Sequence, residues 1–258
     1  MKLKNYIIGT FFLLSGAVQA QVEWIAHRGA SYLAPENTIA SNKLAWELGA
    51  DAVEIDIHLS KDNKVMVIHD GNTQRVSGQS LKVSETSSDV LRLLDVGIFK
   101  GENYKGEKIP FLEEVISIIP PGKKMVVELK SRKEVIPWMK EVIGQSDKAN
   151  QLVFICFDWE TILETQRTFP GHACYWLCSN KNALLSKITE VARHGLKGVD
   201  LKYSVIDKEV MDQARQFNLE VIAYTVNAPE EAKRLIDLGV NGITTDRPAW
   251  MKEKMSNL

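Results

Sequence analysis

The stretch Val53-Glu54-Ile55-Asp56-Ile57-His58 sets the strongest limit on what this chain can fold into. Apolar residues alternate with acids, so as a β-strand it presents Glu54 and Asp56 on one face and Val53, Ile55 and Ile57 on the other. Two carboxylates side by side in an enclosed space repel each other and are costly to desolvate unless a cation lies between them. The fold must therefore bury the apolar face of this strand and gather further polar groups around the acidic one.

The order of elements supplies such an enclosure. From Val22 onward short apolar strands alternate with helices, the pattern of a parallel α/β fold. Strands are predicted at 22–27, 52–59, 65–69, 124–130, 152–157, 173–178, 198–202, 220–226 and 242–245. Helices are predicted at 38–48, 112–118, 135–143, 160–168, 183–194, 208–217 and 229–238, with Gly49, Gly195 and Gly239 where C-caps fall. A closed (β/α)8 barrel has eight slots for these nine strands, so one lies outside it. Only Lys61 to Lys64 separates the second strand from the third, which is too short for a parallel crossover and suits an antiparallel hairpin. The third strand is then a return arm that carries His69 back to roughly the level of Asp56. The prediction is a (β/α)8 TIM barrel over residues 21–258 with a small insertion, 58–108, after the second strand. Active sites of such barrels lie at the C-terminal strand ends, where His27-Arg28, Glu54, Asp56, Glu128, Lys130, Asp200, Lys202 and Thr245-Asp246 converge.

Charge narrows the partners. A formal net charge of -1 leaves no basic footprint for nucleic acid and no polybasic membrane anchor, so a small molecule is the default. Lys2 and Lys4, the apolar run Tyr6 to Val18 and the closing Val18-Gln19-Ala20 form the pattern of a secretory signal peptide over residues 1–20. The run is shorter than the ~20 residues a spanning helix needs, so cleavage and export to a periplasm or medium are expected, with no stable membrane anchor afterwards. Cys156, Cys174 and Cys178 are expected as buried, unpaired thiols, although one disulfide is allowed after export.

Glu54, Asp56 and Glu128 are hard oxygen ligands with no cysteine nearby, which selects Ca2+ or Mg2+, with Mn2+ also compatible. His27 and His69, at the ends of apolar strands, suit general acid and base work because imidazole changes protonation near neutral pH. Arg28 and Lys130 then call for an anion, and phosphate uses a guanidinium, an ammonium and a divalent cation together. Asn37 is a candidate helix N-cap and Glu36 a surface residue, but their βα loop also faces the site. His58 is read as part of the hairpin arm, with an outer-ligand role as the alternative. Phe157, Trp176 and Tyr224 are candidates for an apolar substrate wall.

Ala26-His27-Arg28-Gly29, Pro35-Glu36-Asn37-Thr38, Gly49-Ala50-Asp51 leading into Glu54-Ile55-Asp56, Lys61-Asp62 and Val67-Ile68-His69-Asp70 closely resemble the glycerophosphodiester phosphodiesterase family. The match continues in order through Ile109-Pro110-Phe111-Leu112-Glu113-Glu114, Glu128-Leu129-Lys130, Thr225-Val226-Asn227 and Gly242-Ile243-Thr244-Thr245-Asp246-Arg247-Pro248. The resemblance implies a TIM barrel with an insertion after the second strand, metal carboxylates at Glu54, Asp56 and Glu128, acid/base histidines at His27 and His69, and phosphate contacts at Arg28 and Lys130. It departs from the family at Asn63, where a turn glycine is usual, and at Tyr224, where a tryptophan is common. The reaction implied is metal-dependent hydrolysis of glycerophosphodiesters to sn-glycerol 3-phosphate and an alcohol, with His69 as acid and His27 as base. Rival readings are lysophospholipase D or sphingomyelinase D-like headgroup cleavage, which a strongly apolar rim loop would favour, and a non-catalytic phosphate-ester binding protein.

Overall fold

The computed structural model of the protein describes residues 22–256, so the predicted signal peptide lies outside the described residues. The strands are β1 (Glu23–Ala26), β2 (Ala52–Leu59), β3 (Val65–Val67), β4 (Lys124–Leu129), β5 (Leu152–Cys156), β6 (Ala173–Cys178), β7 (Gly198–Lys202), β8 (Glu220–Tyr224) and β9 (Gly242–Thr245). They form one sheet in the order β1-β9-β8-β7-β6-β5-β4-β2-β3, and a β1–β2 pairing closes all but β3 into a parallel barrel. This is the (β/α)8 architecture expected from the strand count.

Parity along each strand separates two layers. Val53, Ile55 and Ile57 of β2 and Met125, Val127 and Leu129 of β4 pack outward into the large core under the helices. Full burial of each such side chain is worth roughly 1.5–3 kcal/mol. The lumen holds a smaller plug of Ile25, Ala52, Val126, Ile155, Tyr175, Leu177 and Ile222. Ascending β2, its lumen side reads Ala52, Glu54, Asp56, so the acids stand above the plug at the C-terminal mouth.

The outer ring comprises α1 (Ile39–Glu47), α4 (Leu112–Ser117), α5 (Ile136–Gly144), α6 (Trp159–Thr168), α7 (Lys181–Arg193), α8 (Lys208–Gln216), α9 (Pro229–Leu238) and α10 (Pro248–Ser256), while α2 (Gln74–Ser77) and α3 (Ser88–Leu91) follow β3. Gly49, Gly195 and Gly239 end α1, α7 and α9 at φ +86°, +75° and +87°, a backbone region that glycine enters without steric cost. α10 was not anticipated from the sequence.

β3 pairs antiparallel with the upper half of β2, Ile57 facing Val67 and Leu59 facing Val65. Asn63 turns this hairpin at φ +63°, as the asparagine substitution allows. The Ile68 N–H then bonds the Asp56 carbonyl at 3.0 Å, which sets His69 close to the acid's level. The segment that follows has its own apolar cluster of Met66, Ile68, Val76, Val83, Leu91, Leu94, Val96 and Ile109. Asp62 in the hairpin turn accepts from the Ser88 N–H at 2.8 Å and the Ser88 hydroxyl at 2.7 Å, tying the hairpin to the start of α3. Arg92 closes the segment with a two-pronged contact to Glu114 of α4 at 2.6 and 2.9 Å. Cys156, Cys174 and Cys178 are free and buried.

Candidate active site

The site begins in the turn after β1. Arg28 and Asn37 both adopt left-handed backbone, at φ +56° and +58°, a conformation that non-glycine residues hold only when their surroundings impose it. Those surroundings are visible. The Arg28 N–H donates to Glu54 Oε2 at 2.9 Å, its carbonyl accepts from the Asn37 N–H at 2.9 Å, and the Ser41 hydroxyl donates to the same carbonyl at 3.0 Å. Gly29, at φ +81°, lies so close to α1 that a β-carbon would fall 2.3 Å from Ser41 Oγ. Helix α1 is capped by Thr38, whose hydroxyl accepts from the Ser41 N–H at 3.2 Å, so the predicted cap at Asn37 is one residue early. Asn37 instead pairs with Asp56: its side-chain amide donates to Oδ2 at 2.9 Å and its carbonyl accepts from the Asp56 N–H at 3.1 Å.

Glu54, Asp56 and Glu128 are all buried and each brings an oxygen within 4.8 Å of the others. β2 and β4 put Asp56 directly beside Glu128 in register. Burial, then Asp56 and Glu128, drive the Glu54 carboxyl well above its ordinary value. Burial, with Asp56 adding to it, pushes Glu128 up to about 7. Burial would raise Asp56 too, but Lys130 and Arg28 outweigh it and hold Asp56 down at about 2. Three carboxyls thus crowd one space beside Arg28 and Lys130, a donor set that a divalent cation fits. Lys130 donates to Glu128 at 2.7 Å and lies 3.2 Å from Asp56. Arg28 donates through Nη1 to Glu36 at 3.0 Å, and its buried Nε makes no hydrogen bond, 3.5 Å from Asp56 Oδ2.

Each candidate histidine is held by a carboxylate. His27 Nδ1 is 2.7 Å from Asp246 Oδ1, and His69 Nδ1 is 2.7 Å from Asp70 Oδ1. Against the cost of burial, His27 and Asn227 hold Asp246 at about 2; being ionised, it only accepts, so Nδ1 carries the hydrogen and Nε2 is the nitrogen left for a substrate. Burial pushes the His69 imidazole below its ordinary value, against the pull of Asp56. Asn227 Nδ2 donates to Asp246 Oδ2 at 2.5 Å and its Oδ1 accepts from the Asp246 N–H at 3.0 Å, so the segment after β8 orients the carboxylate that orients His27. The carbonyl of His69 accepts from His58 Nε2 at 3.0 Å, in agreement with its place on the hairpin.

The apolar wall needs correction. Phe157 is 47% exposed at the mouth, with Tyr224 edge-on to it at 5.9 Å. Trp176 faces away from the mouth, in the outer core against Trp159 at 5.1 Å, because on β6 the lumen positions are Tyr175 and Leu177. Its indole N–H donates to the Phe157 carbonyl at 3.1 Å, so it supports the wall from behind. Asp200 is buried in the lumen with Oδ1 lacking a hydrogen bond. Sequence reasoning placed Asp246 on the rim without a specific role and assigned none to Asp70 or Arg75. Lys100 donates to the Ser31 carbonyl at 2.6 Å, and Tyr32, Leu33, Ile98 and Phe99 of the two segments it joins are exposed.

Known proteins resemble this chain over most of its length. The model of the glycerophosphoryl diester phosphodiesterase family matches residues 27–250. The chain is 31% identical over 229 residues to a glycerophosphodiester phosphodiesterase of Caldanaerobacter subterraneus subsp. tengcongensis, covering 87% of this chain and 93% of that protein. It is 25% identical over 270 residues to a lysophospholipase D of Rattus norvegicus, covering 91% of this chain and 86% of that one. A phosphodiesterase of Oleispira antarctica, solved with the product sn-glycerol-3-phosphate, superposes with a TM-score of 0.84 at 28% identity, covering 91% of this chain and 96% of the other.

Proposed function

The chain belongs to the glycerophosphoryl diester phosphodiesterase family, and on that premise we propose that it hydrolyses glycerophosphodiesters to sn-glycerol 3-phosphate and an alcohol with a divalent cation and a histidine acid/base pair. That it is a phosphodiesterase acting on a glycerophosphodiester follows from the family; the metal and the histidines are our reading. The observation that carries this reading is the buried trio Glu54, Asp56 and Glu128 flanked by two histidines, each with a carboxylate at Nδ1.

Glu54, Asp56 and Glu128 would hold the cation, Ca2+ or Mg2+, which neutralises phosphoryl oxygens as charge redistributes. Arg28 and Lys130 bind the remaining non-bridging oxygens, drawing the ester between the two imidazoles. His27 Nε2 takes the proton of the nucleophile, water or the glycerol hydroxyl beside the ester, while Asp246 stabilises the imidazolium. His69 gives its Nε2 proton to the departing alkoxide, and Asp70 receives the Nδ1–H throughout. Phe157 and Tyr224 form an apolar edge for the alcohol. The apolar run at residues 6–18 supports export of the mature enzyme.

The test is turnover of a headgroup panel by metal-stripped protein refilled with Ca2+, Mg2+ or Mn2+, alongside His69→Ala. Restored turnover and a His69→Ala rate lower by about 10²–10⁴-fold are expected. No diester cleaved under any metal, or near-normal turnover in the variant, refutes the reading. The exposed Tyr32, Leu33, Ile98 and Phe99 favour a second reading, headgroup cleavage from lysophospholipids. A preference for long-chain over deacylated esters in kcat/KM would select it.

A further inference from the structure

Arg75 stands outside the catalytic set, on the single-turn α2 beyond the hairpin, and is 46% exposed. Its contacts are nevertheless specific. Nη1 and Nη2 grip both oxygens of Glu36, at 2.6 and 2.8 Å, and Nε donates to Asp70 Oδ2 at 2.6 Å. Asp70 turns its other oxygen to His69 Nδ1, and Glu36 accepts from Arg28 Nη1. An unbroken line of charged contacts therefore runs from His69 through Asp70, Arg75, Glu36 and Arg28 to Asp56.

We propose that Arg75 is a positioning residue that holds the proton-donating histidine and the phosphate-binding arginine in a single fixed arrangement. The inference rests on the roles given above to His69 and Arg28. Only a planar fork with three donor edges can hold two carboxylates at a fixed angle; a lysine ammonium offers one point of contact. Stability is a poor explanation for the cluster, because an ion pair made by a half-exposed arginine contributes little to it. The charges do something different: they remove rotational freedom from two carboxylates that each orient a group in the site. Glu36 sits below its ordinary value despite burial, because Arg75 and Arg28 both bond it.

The two arms have separable consequences. A histidine that donates a proton matters when the leaving group is a basic alkoxide and hardly at all when it is a stabilised phenolate. Loss of the Arg28 arm weakens phosphate binding for every ester alike. The experiment compares glycerophosphoethanolamine with glycerophospho-p-nitrophenol in the full-length enzyme with its metal. His69→Ala should lower kcat for the ethanolamine ester by at least about 30-fold more than for the aryl ester. Asp70→Asn and Arg75→Met should show the same leaving-group bias at about 10–100-fold, whereas Glu36→Gln should slow both esters by one factor, chiefly through KM. Arg75→Lys should recover less than about a third of the rate that Arg75→Met loses. The melting midpoint of Arg75→Met should stay within about 3 °C of the parent. If His69→Ala shows the bias and Arg75→Met slows both esters equally or neither, the positioning role is wrong. If His69→Ala shows no bias, the acid assignment falls and takes this inference with it.

Discussion

Gly29→Ala probes how the site is built into the fold. A methyl at this position falls 2.3 Å from Ser41 Oγ, 2.8 Å from Ser41 Cβ and 2.7 Å from the Ser41 carbonyl carbon. The hydroxyl cannot simply swing away, because it bonds the carbonyls of Arg28 and Thr38 at 3.0 and 3.2 Å. The carbonyl carbon belongs to the first turn of α1 and moves only with the helix. A φ of +81° costs an L-residue about 1–2 kcal/mol, and overpacking adds about 1–3 kcal/mol, for a sum of about 2–5 kcal/mol. In a domain of this size each kcal/mol lowers the melting midpoint by about 2–4 °C, so a fall of about 4–20 °C is expected by circular dichroism. Ser41→Gly removes two of the three close contacts and leaves the third and the φ untouched. The two changes together should therefore be less damaging than their sum by about 1–2 kcal/mol. A Gly29→Ala midpoint within 2 °C of the parent, or strict additivity with Ser41→Gly, would show that this turn is not held as described.

Asp246→Asn lets an amide, in place of an acceptor-only carboxylate, face His27 Nδ1, so kcat should drop about 10²–10⁴-fold with the fold intact by circular dichroism; above a third of parental activity the dyad has no catalytic meaning. Without metal, Glu128 keeps its proton up to about pH 7, and a cation must expel it. Calorimetry in two buffers of different ionisation enthalpy should therefore show proton release on Ca2+ or Mg2+ binding near pH 6 that lessens above pH 8 as Glu128 ionises on its own, Glu54 still contributing, and affinity that does not rise between these limits would contradict it. Because the folded protein holds Asp246 at about 2 against 3.8, its contribution to stability is full above pH 4 and is lost as pH falls toward 2. Urea titrations should find a shallower loss across that window in Asp246→Asn; equal slopes would mean that the pair adds nothing.

The barrel was legible because its signals are local. Alternation marks β2 and β4, glycines mark the ends of α1, α7 and α9, and five residues between β2 and β3 leave room only for a hairpin. The acid trio was legible for the same reason, since each carboxylate interrupts an apolar strand. Trp176 was placed on the wrong face because Ala173-Cys174-Tyr175-Trp176-Leu177-Cys178 is apolar throughout, with no polar residue to declare which parity is the lumen. The partners of Asp246 and Arg75 escaped because they lie far off along the chain: 219 residues separate His27 from Asp246 and 39 separate Glu36 from Arg75. No spacing rule reaches so far. Nothing in the spacing of Tyr32-Leu33 and Ile98-Phe99 announces that the Lys100 contact to Ser31 ties their two segments together.

The His27–Asp246 contact joins the loop after the first stave to the loop after the last, at the seam where β1 meets β9. If the proposed roles hold, a partly assembled barrel lacking β9 would display the three carboxylates of β2 and β4 for a cation while having no oriented base. In a refolding experiment metal uptake and hydrolytic activity should therefore appear at different times. Contacts this remote in sequence are late and slow to form. Substrate turnover then serves as a clock for barrel closure, built into the molecule without any label.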